Sequence, residues 1–101
     1  MASLQVVSLL LAALAITGSR AITCYHCDAY DEGCDNPEFH GAVDVCDTCT
    51  TCFTRVYHST GEVERWVAHE PHEDGYCYIG SIYTSCYCAS DRCNNHLCEQ
   101  C

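Results

Sequence analysis

The chain has 101 residues, 12 of them cysteine, with 14 Asp+Glu against four arginines and no lysine. A formal charge of −10 at pH 7 argues against nucleic acid and anionic membrane as partners, since both recruit basic patches. So short a chain also leaves little room for a water-excluding catalytic pocket.

In chain order the first element is a leader. Val6 to Ile16 is apolar except for Ser8, which is about the length of a signal-peptide core and too short to span a bilayer. Ser19 and Ala21 fit the small-residue positions before a signal-peptidase cut, so residues 1–21 are expected to be removed. A retained membrane anchor is the competing reading, and the short apolar span counts against it. Residues 22–101 then carry all 12 cysteines in 80 positions, and with Arg20 gone the charge is −11, from 14 acidic residues and three arginines. That density marks a secreted disulfide scaffold, in a compartment where thiols pair. No apolar tail follows for a second anchor or a lipid anchor, and no Asn-x-Ser/Thr sequon occurs, so a soluble extracellular product is expected. Ordering each residue costs about 1.5 kcal/mol, which apolar burial in a small scaffold only about cancels. Each disulfide adds about 2–4 kcal/mol, so the staples matter more than the core.

The segment 22–46 opens on a β-type stretch, continues through acidic turn-rich connections, and has a turn signal at Asn36-Pro37. "CFTRVYH" (52–58) and "VERWVAH" (63–69) flank "STGE" and predict a hairpin. By the period of two, Phe53, Arg55 and Tyr57 share one face, with Thr54, Val56 and His58 on the other. Gly61 supplies the positive φ that a four-residue loop often needs. "CYIGSIYTSC" (77–86) predicts another hairpin, with Gly80-Ser81 as a type II′ turn, Tyr78 opposite Tyr83 and Ile79 opposite Ile82. Helix signals are almost absent. With no linker and no whole-domain repeat, the expectation is one small, disulfide-rich, all-β domain.

Several clusters invite chemistry. Cys24-x-x-Cys27 followed by Cys49-x-x-Cys52 has the spacing of a zinc knuckle, but the secretory leader favours disulfides. No βαβ pattern surrounds these pairs, which counts against a thioredoxin-type redox centre. "HEPHED" (69–74) gathers His69 and His72 with carboxylates that can hold a divalent ion weakly, yet Pro71 prevents a helix from aligning them, and a solvated acidic loop is the plainer reading. Asp28, Asp31, Glu32 and Asp35 lack the alternation and glycine of a calcium loop and read as surface charge. No nucleophile-elbow sequence occurs, so no catalytic residue, metal or cofactor is assigned.

One combination is more specific. Cys24-x-x-Cys27 with Cys34 seven residues on, the later Cys52, and the ending "CYCASDRCN" (86–94) resemble the three-finger family of lymphocyte antigen six, the urokinase receptor and snake three-finger toxins. The Asp91-Arg92-Cys93-Asn94 ending resembles its hallmark, and the Cys-x-Cys at 86 and 88 resembles the variant of invertebrate members. The resemblance covers residues 22–95, leaving 96–101 as a short cysteine-containing tail. It implies three hairpin fingers over 25–46, 53–69 and 78–85, and bridges Cys24–Cys52, Cys27–Cys34, Cys77–Cys86 and Cys88–Cys93, with Asn94 latching the C-terminal segment to the hub. The family's cysteine closing finger two is missing near Trp66 to His69. Cys46 then pairs with Cys49 and Cys98 with Cys101, or else Cys46 or Cys49 crosses to Cys98, Cys101 or Cys77; the sequence leaves these open.

The resemblance implies a secreted, non-enzymatic, toxin-like ligand that modulates a membrane receptor or ion channel, acts as a monomer and does not insert into membranes; a venom origin is among its implications. The alternatives are an endogenous extracellular regulator of receptors, immunity or tissue assembly, and an acidic metal-binding or structural protein. Candidate contact residues lie on the central hairpin: Tyr57, Glu62, Arg65 and Trp66. Tyrosine, tryptophan and arginine are the usual binding anchors. Trp66 has a second expectation, that of filling the space of the missing closing cysteine. By alternation Arg65 points away from it.

Overall fold

Short runs rich in β-branched and aromatic residues form six strands and, among the described residues, no helix. The computed structural model describes residues 21–98 and Cys101, so all of the expected leader but Ala21 lies outside the described residues. The strands are β1 (Ile22–Tyr25), β2 (Val43–Cys46), β3 (Thr51–Tyr57), β4 (Val63–Ala68), β5 (Cys77–Ile79) and β6 (Tyr83–Cys88). β1–β2, β3–β4 and β5–β6 are antiparallel hairpins. β1 and β2 make a two-stranded sheet, and the other four form a sheet in the order β4-β3-β6-β5. The fold is small, disulfide-rich and all-β.

The hairpin tips differ from expectation in register. The β3–β4 loop is residues 58–61, closed by Tyr57 N–H to Glu62 O at 2.9 Å, one residue earlier than "STGE" suggests. Gly61 takes φ +72° there. In the β5–β6 hairpin Cys77 faces Cys86 and Ile79 faces Thr84, so the loop is Ser81-Ile82 rather than Gly80-Ser81. Gly80 closes it, donating to Tyr83 O at 2.9 Å, and is absent from the positive-φ glycines. A Cβ on Gly80 would lie 2.8 Å from the Tyr78 ring. The glycine makes room for that ring, which reaches Tyr83 at 5.6 Å between centroids although the two are not opposite.

Six disulfides join the described cysteines: Cys24–Cys52, Cys27–Cys34, Cys46–Cys49, Cys77–Cys101, Cys86–Cys98 and Cys88–Cys93. The expected Cys77–Cys86 and Cys98–Cys101 bridges are replaced by an exchange of partners among those four residues. The reason is non-local. Thr54 Oγ1 and the Arg65 guanidinium both donate to His96 O, at 3.2 and 2.8 Å, which lays the chain after Asn94 along the four-stranded sheet. Cys98 then arrives at Cys86, and Cys101 at Cys77. Cys98 and Cys101 are therefore both stapled to the sheet, not to each other.

Two apolar clusters result. Ile22, Cys24, Cys49, Cys52 and Val67 form the hub, with Cys46, Cys88 and Cys93 against it. Cys27, Cys34 and Val63 form the second, beneath Phe39, Val56 and the tail residue Leu97. Val67, not Trp66, supplies the hub's apolar contact at the closing end of the second hairpin. Asn94 is buried and joins three strands. Its Oδ1 accepts Tyr25 N–H at 2.9 Å, and its Nδ2 donates to Tyr25 O and Phe53 O, each at 3.0 Å, and to Trp66 O at 3.4 Å.

Candidate functional site

Alternation divides the four-stranded sheet into two unlike faces. On the first, Cys52, Thr54, Val63, Arg65 and Val67 are buried beneath the first hairpin's long loop and the C-terminal segment. Arg65 is 0% exposed. Its Nε donates to Cys34 O at 3.1 Å, Nη1 to Asn94 O at 3.0 Å and to His96 O at 2.8 Å, and Nη2 to Asn36 O at 2.7 Å. Burial pulls the guanidinium down to about 10, with Asp35 acting against the shift. The expectation that Arg65 lies on the contact surface is thus corrected: between Val63 and Val67 it points inward, where one fork satisfies four carbonyls from the loop and the tail.

The second face is half-exposed along β3 and β6, where Phe53, Arg55, Tyr57, Tyr83 and Tyr87 are each half-buried. Phe53, Arg55 and Tyr57 point out from β3, Glu64 and Trp66 from β4, and Tyr83 and Tyr87 from β6. Arg55 lies across the centre. Its guanidinium carbon is 4.8 Å from the Phe53 ring centroid and 4.2 Å from that of Tyr83, its Nε donates to Ser85 Oγ at 2.9 Å, and Nη1 sits 3.6 Å from Glu64. A cation held over aromatic faces gains from their quadrupoles and is fixed in orientation. The Tyr57 hydroxyl donates to Glu64, and that bond, first among its causes, raises the phenol above its ordinary pKa of 10.0. Tyr57 and Tyr83 meet edge-on at 5.7 Å, and Phe53 lies 6.0 Å from Tyr87.

Histidines border this face on both sides of the Trp66-Phe53-Tyr87 row. Trp66, 38% exposed, stacks on His26 at 4.6 Å, and His26 Nδ1 lies 2.9 Å from Asp44. On the other side His72 stacks on Tyr87 at 3.9 Å and on Tyr76 at 5.4 Å. The two histidines of "HEPHED" thus part company: His72 joins the aromatic face, and His69 Nδ1 lies 3.8 Å from Cys49 Sγ.

Beside β4 a groove of about 470 Å³ runs between the first loop and the second hairpin, lined by Asp28, Tyr30, Tyr57, Glu62 and Glu64. Tyr57 and Glu62, both expected contact residues, meet here, while Trp66 lies farther along the same face. Asp31 is partly engaged, since its Oδ2 accepts Asp28 N–H at 2.7 Å and caps the turn. In contrast, Gly75 to Ser90, which forms the whole third hairpin, contains no charged residue and exposes Tyr76, Tyr78, Ile79 and Ile82.

Sequence reasoning overlooked Arg55, Phe53, Tyr83 and Tyr87 as a unit. The alternation already placed Phe53 and Arg55 beside Tyr57; what it lacked was the β3–β6 pairing, which sets Tyr87 opposite Phe53 and Tyr83 opposite Tyr57. Comparison of the chain with protein-family models, curated proteins and solved structures yields no match.

Proposed function

We propose that this chain is a secreted, non-enzymatic ligand of three-finger type, which engages a membrane receptor or ion channel through its half-exposed aromatic face. The observation that carries the reading is Arg55 held over Phe53 and Tyr83 on the one sheet face that loop and tail leave open. Rigid aromatic and arginine side chains lose little entropy on binding and are the commonest hot spots. Three hairpins leaving one cysteine hub, the Cys24–Cys52, Cys27–Cys34 and Cys88–Cys93 bridges, and the Asn94 latch support the three-finger assignment. The two tail bridges depart from that pattern. Six disulfides suit an oxidising compartment, and no helix among the described residues is long and apolar enough to cross a membrane.

The partner this face fits presents apolar surface to the rings and a cationic group to the groove at Glu62 and Glu64. The same contacts serve a toxin or an endogenous regulator, and the tissue of expression separates those. The test is saturable binding of protein labelled at its amino terminus to intact cells, before and after proteolytic shaving of their surface. Arg55→Ala and Trp66→Ala should each weaken binding by about 30-fold or more, the scale of a hot spot, with the far-UV spectrum unchanged. Binding that survives both substitutions, or that survives shaving, would refute the reading.

A further inference from the structure

The Cys46–Cys49 bridge differs from the other five in position. It spans a sequence separation of 3, against 5 to 28 for the rest. In the chain-entropy account a bridge across so short a loop contributes least. Its ends are held independently. Cys46 is paired to Ile22 in the β1–β2 ladder, and three residues after Cys49 the chain is tied by Cys24–Cys52. Opening this one bridge therefore leaves both strands and the hub in place.

A third ligand stands beside it. His69 follows directly on β4, and the Thr51–Ala68 pairing that ends the β3–β4 ladder sets it next to Cys49, with Nδ1 3.8 Å from the sulfur. One donor atom from each of Cys46, Cys49 and His69 lies within 4.8 Å of the others. Once the sulfur–sulfur bond is broken and the two sulfurs move apart, metal–sulfur bonds of about 2.3 Å and a metal–nitrogen bond of about 2.0 Å come within reach of all three donors, and two thiolates with one imidazole are a zinc-type donor set. Cys49 is buried in the hub, but Cys46 is half-buried and His69 exposed, so a reductant reaches the bond from the Cys46 side and an ion from the His69 side. Asp47, exposed between the two cysteines, favours a cation.

We propose that Cys46, Cys49 and His69 form a reductively unmasked site for one thiophilic divalent cation. A dithiol reductant, R(SH)₂, breaks the Cys46–Cys49 bond by thiol–disulfide exchange. Two protein thiols form and the reductant becomes its cyclic disulfide. The cation then displaces the two thiol protons, binds both sulfurs and His69 Nδ1, and keeps a fourth position for water or another ligand. This site lies at the hub, away from the aromatic face, and does not depend on the receptor reading.

The test uses the oxidised, folded protein, titrated with a phosphine reductant (which leaves no competing thiol) and then alkylated and mapped by mass spectrometry. Cys46 and Cys49 should be modified before any other pair. The selectively reduced protein, given Cd²⁺ as probe, should take up one ion with a sulfur-to-cadmium charge-transfer band. Even an outer-sphere partner of a metal site is worth about 10–100-fold in affinity, so His69→Ala should cost at least tenfold. The Cys46→Ser/Cys49→Ser variant should fold with five bridges and bind no Cd²⁺. Earlier opening of another bridge, unfolding of that double variant, absence of one-to-one uptake, or equal affinity in His69→Ala would each overturn the proposal.

Discussion

Arg65→Met is the sharpest test of how this sheet is closed, because it keeps the apolar stem and removes only the fork. The guanidinium donates to Cys34 O, Asn36 O, Asn94 O and His96 O. Asn36 and His96 are exposed residues, and their carbonyls can turn to water; Cys34 and Asn94 are buried. A buried acceptor left without a donor costs about 1–3 kcal/mol, so the two together cost about 2–6 kcal/mol. Releasing the protein from burying a guanidinium offsets part of this, the same desolvation that draws its pKa down to about 10. A net loss of about 3 kcal/mol, at a guanidinium-chloride dependence of about 2 kcal/mol per molar, lowers the unfolding midpoint by about 1.5 M. The assay is denaturation with all disulfides oxidised, followed by far-UV circular dichroism. Arg65→Lys should fall between the two, since a point charge cannot serve four carbonyls. A midpoint for Arg65→Met within about 0.3 M of wild type would show that the fork is dispensable and that the first loop and the tail are held by their bridges alone.

Three further outcomes follow from named contacts. Asn94→Ala strands Tyr25 N–H beneath the C-terminal segment and should cost about 2–4 kcal/mol, read as a lower refolding yield and midpoint. In the Cys98→Ser/Cys101→Ser variant, Cys77 and Cys86 are left directly opposite each other in the β5–β6 ladder, and peptide mapping should find them joined, with one bridge fewer in total. For Tyr57 the folded pKa is raised, so between the unfolded and folded values the native state binds more protons; stability is fully present below pH about 10 and declines as pH rises through the folded pKa, a decline that Tyr57→Phe should reduce in alkaline denaturation.

How much of this was legible depends on whether local chemistry decided it. The all-β class, the central hairpin and the outward set of Phe53, Arg55 and Tyr57 follow from alternation, which acts between neighbours in sequence. Gly80 shows where a local rule loses. Its place in "IGSI" suits a type II′ turn, but continued β3–β6 pairing, with His58 N–H donating to Ile82 O at 3.0 Å, and the packing of Tyr78 over the glycine select another register. Arg65 was misread because arginine is ordinarily exposed. Its valine neighbours two positions either side, Val63 and Val67, were the available signal. The tail pairing had no local signal at all, since it depends on Thr54 and Arg65 gripping a carbonyl 42 and 31 residues away.

That grip also determines where recognition has room to occur. With loop, tail and two bridges committed to one face of the sheet, the other is the face that β3 and β6 keep half-exposed among the described residues, and it is not uniform. Its β4 side borders Asp28, Glu62 and Glu64, while its β5–β6 side belongs to a hairpin without a charge. On the proposed ligand reading, a cationic partner would be drawn first to the acidic side, by a field that salt screens over about 10 Å at 0.1 M. Residence once docked is a matter of rings and desolvation around Arg55, which salt affects little. On that proposal the two sides act on different steps of one encounter, and the antiparallel sheet between them sets their spacing.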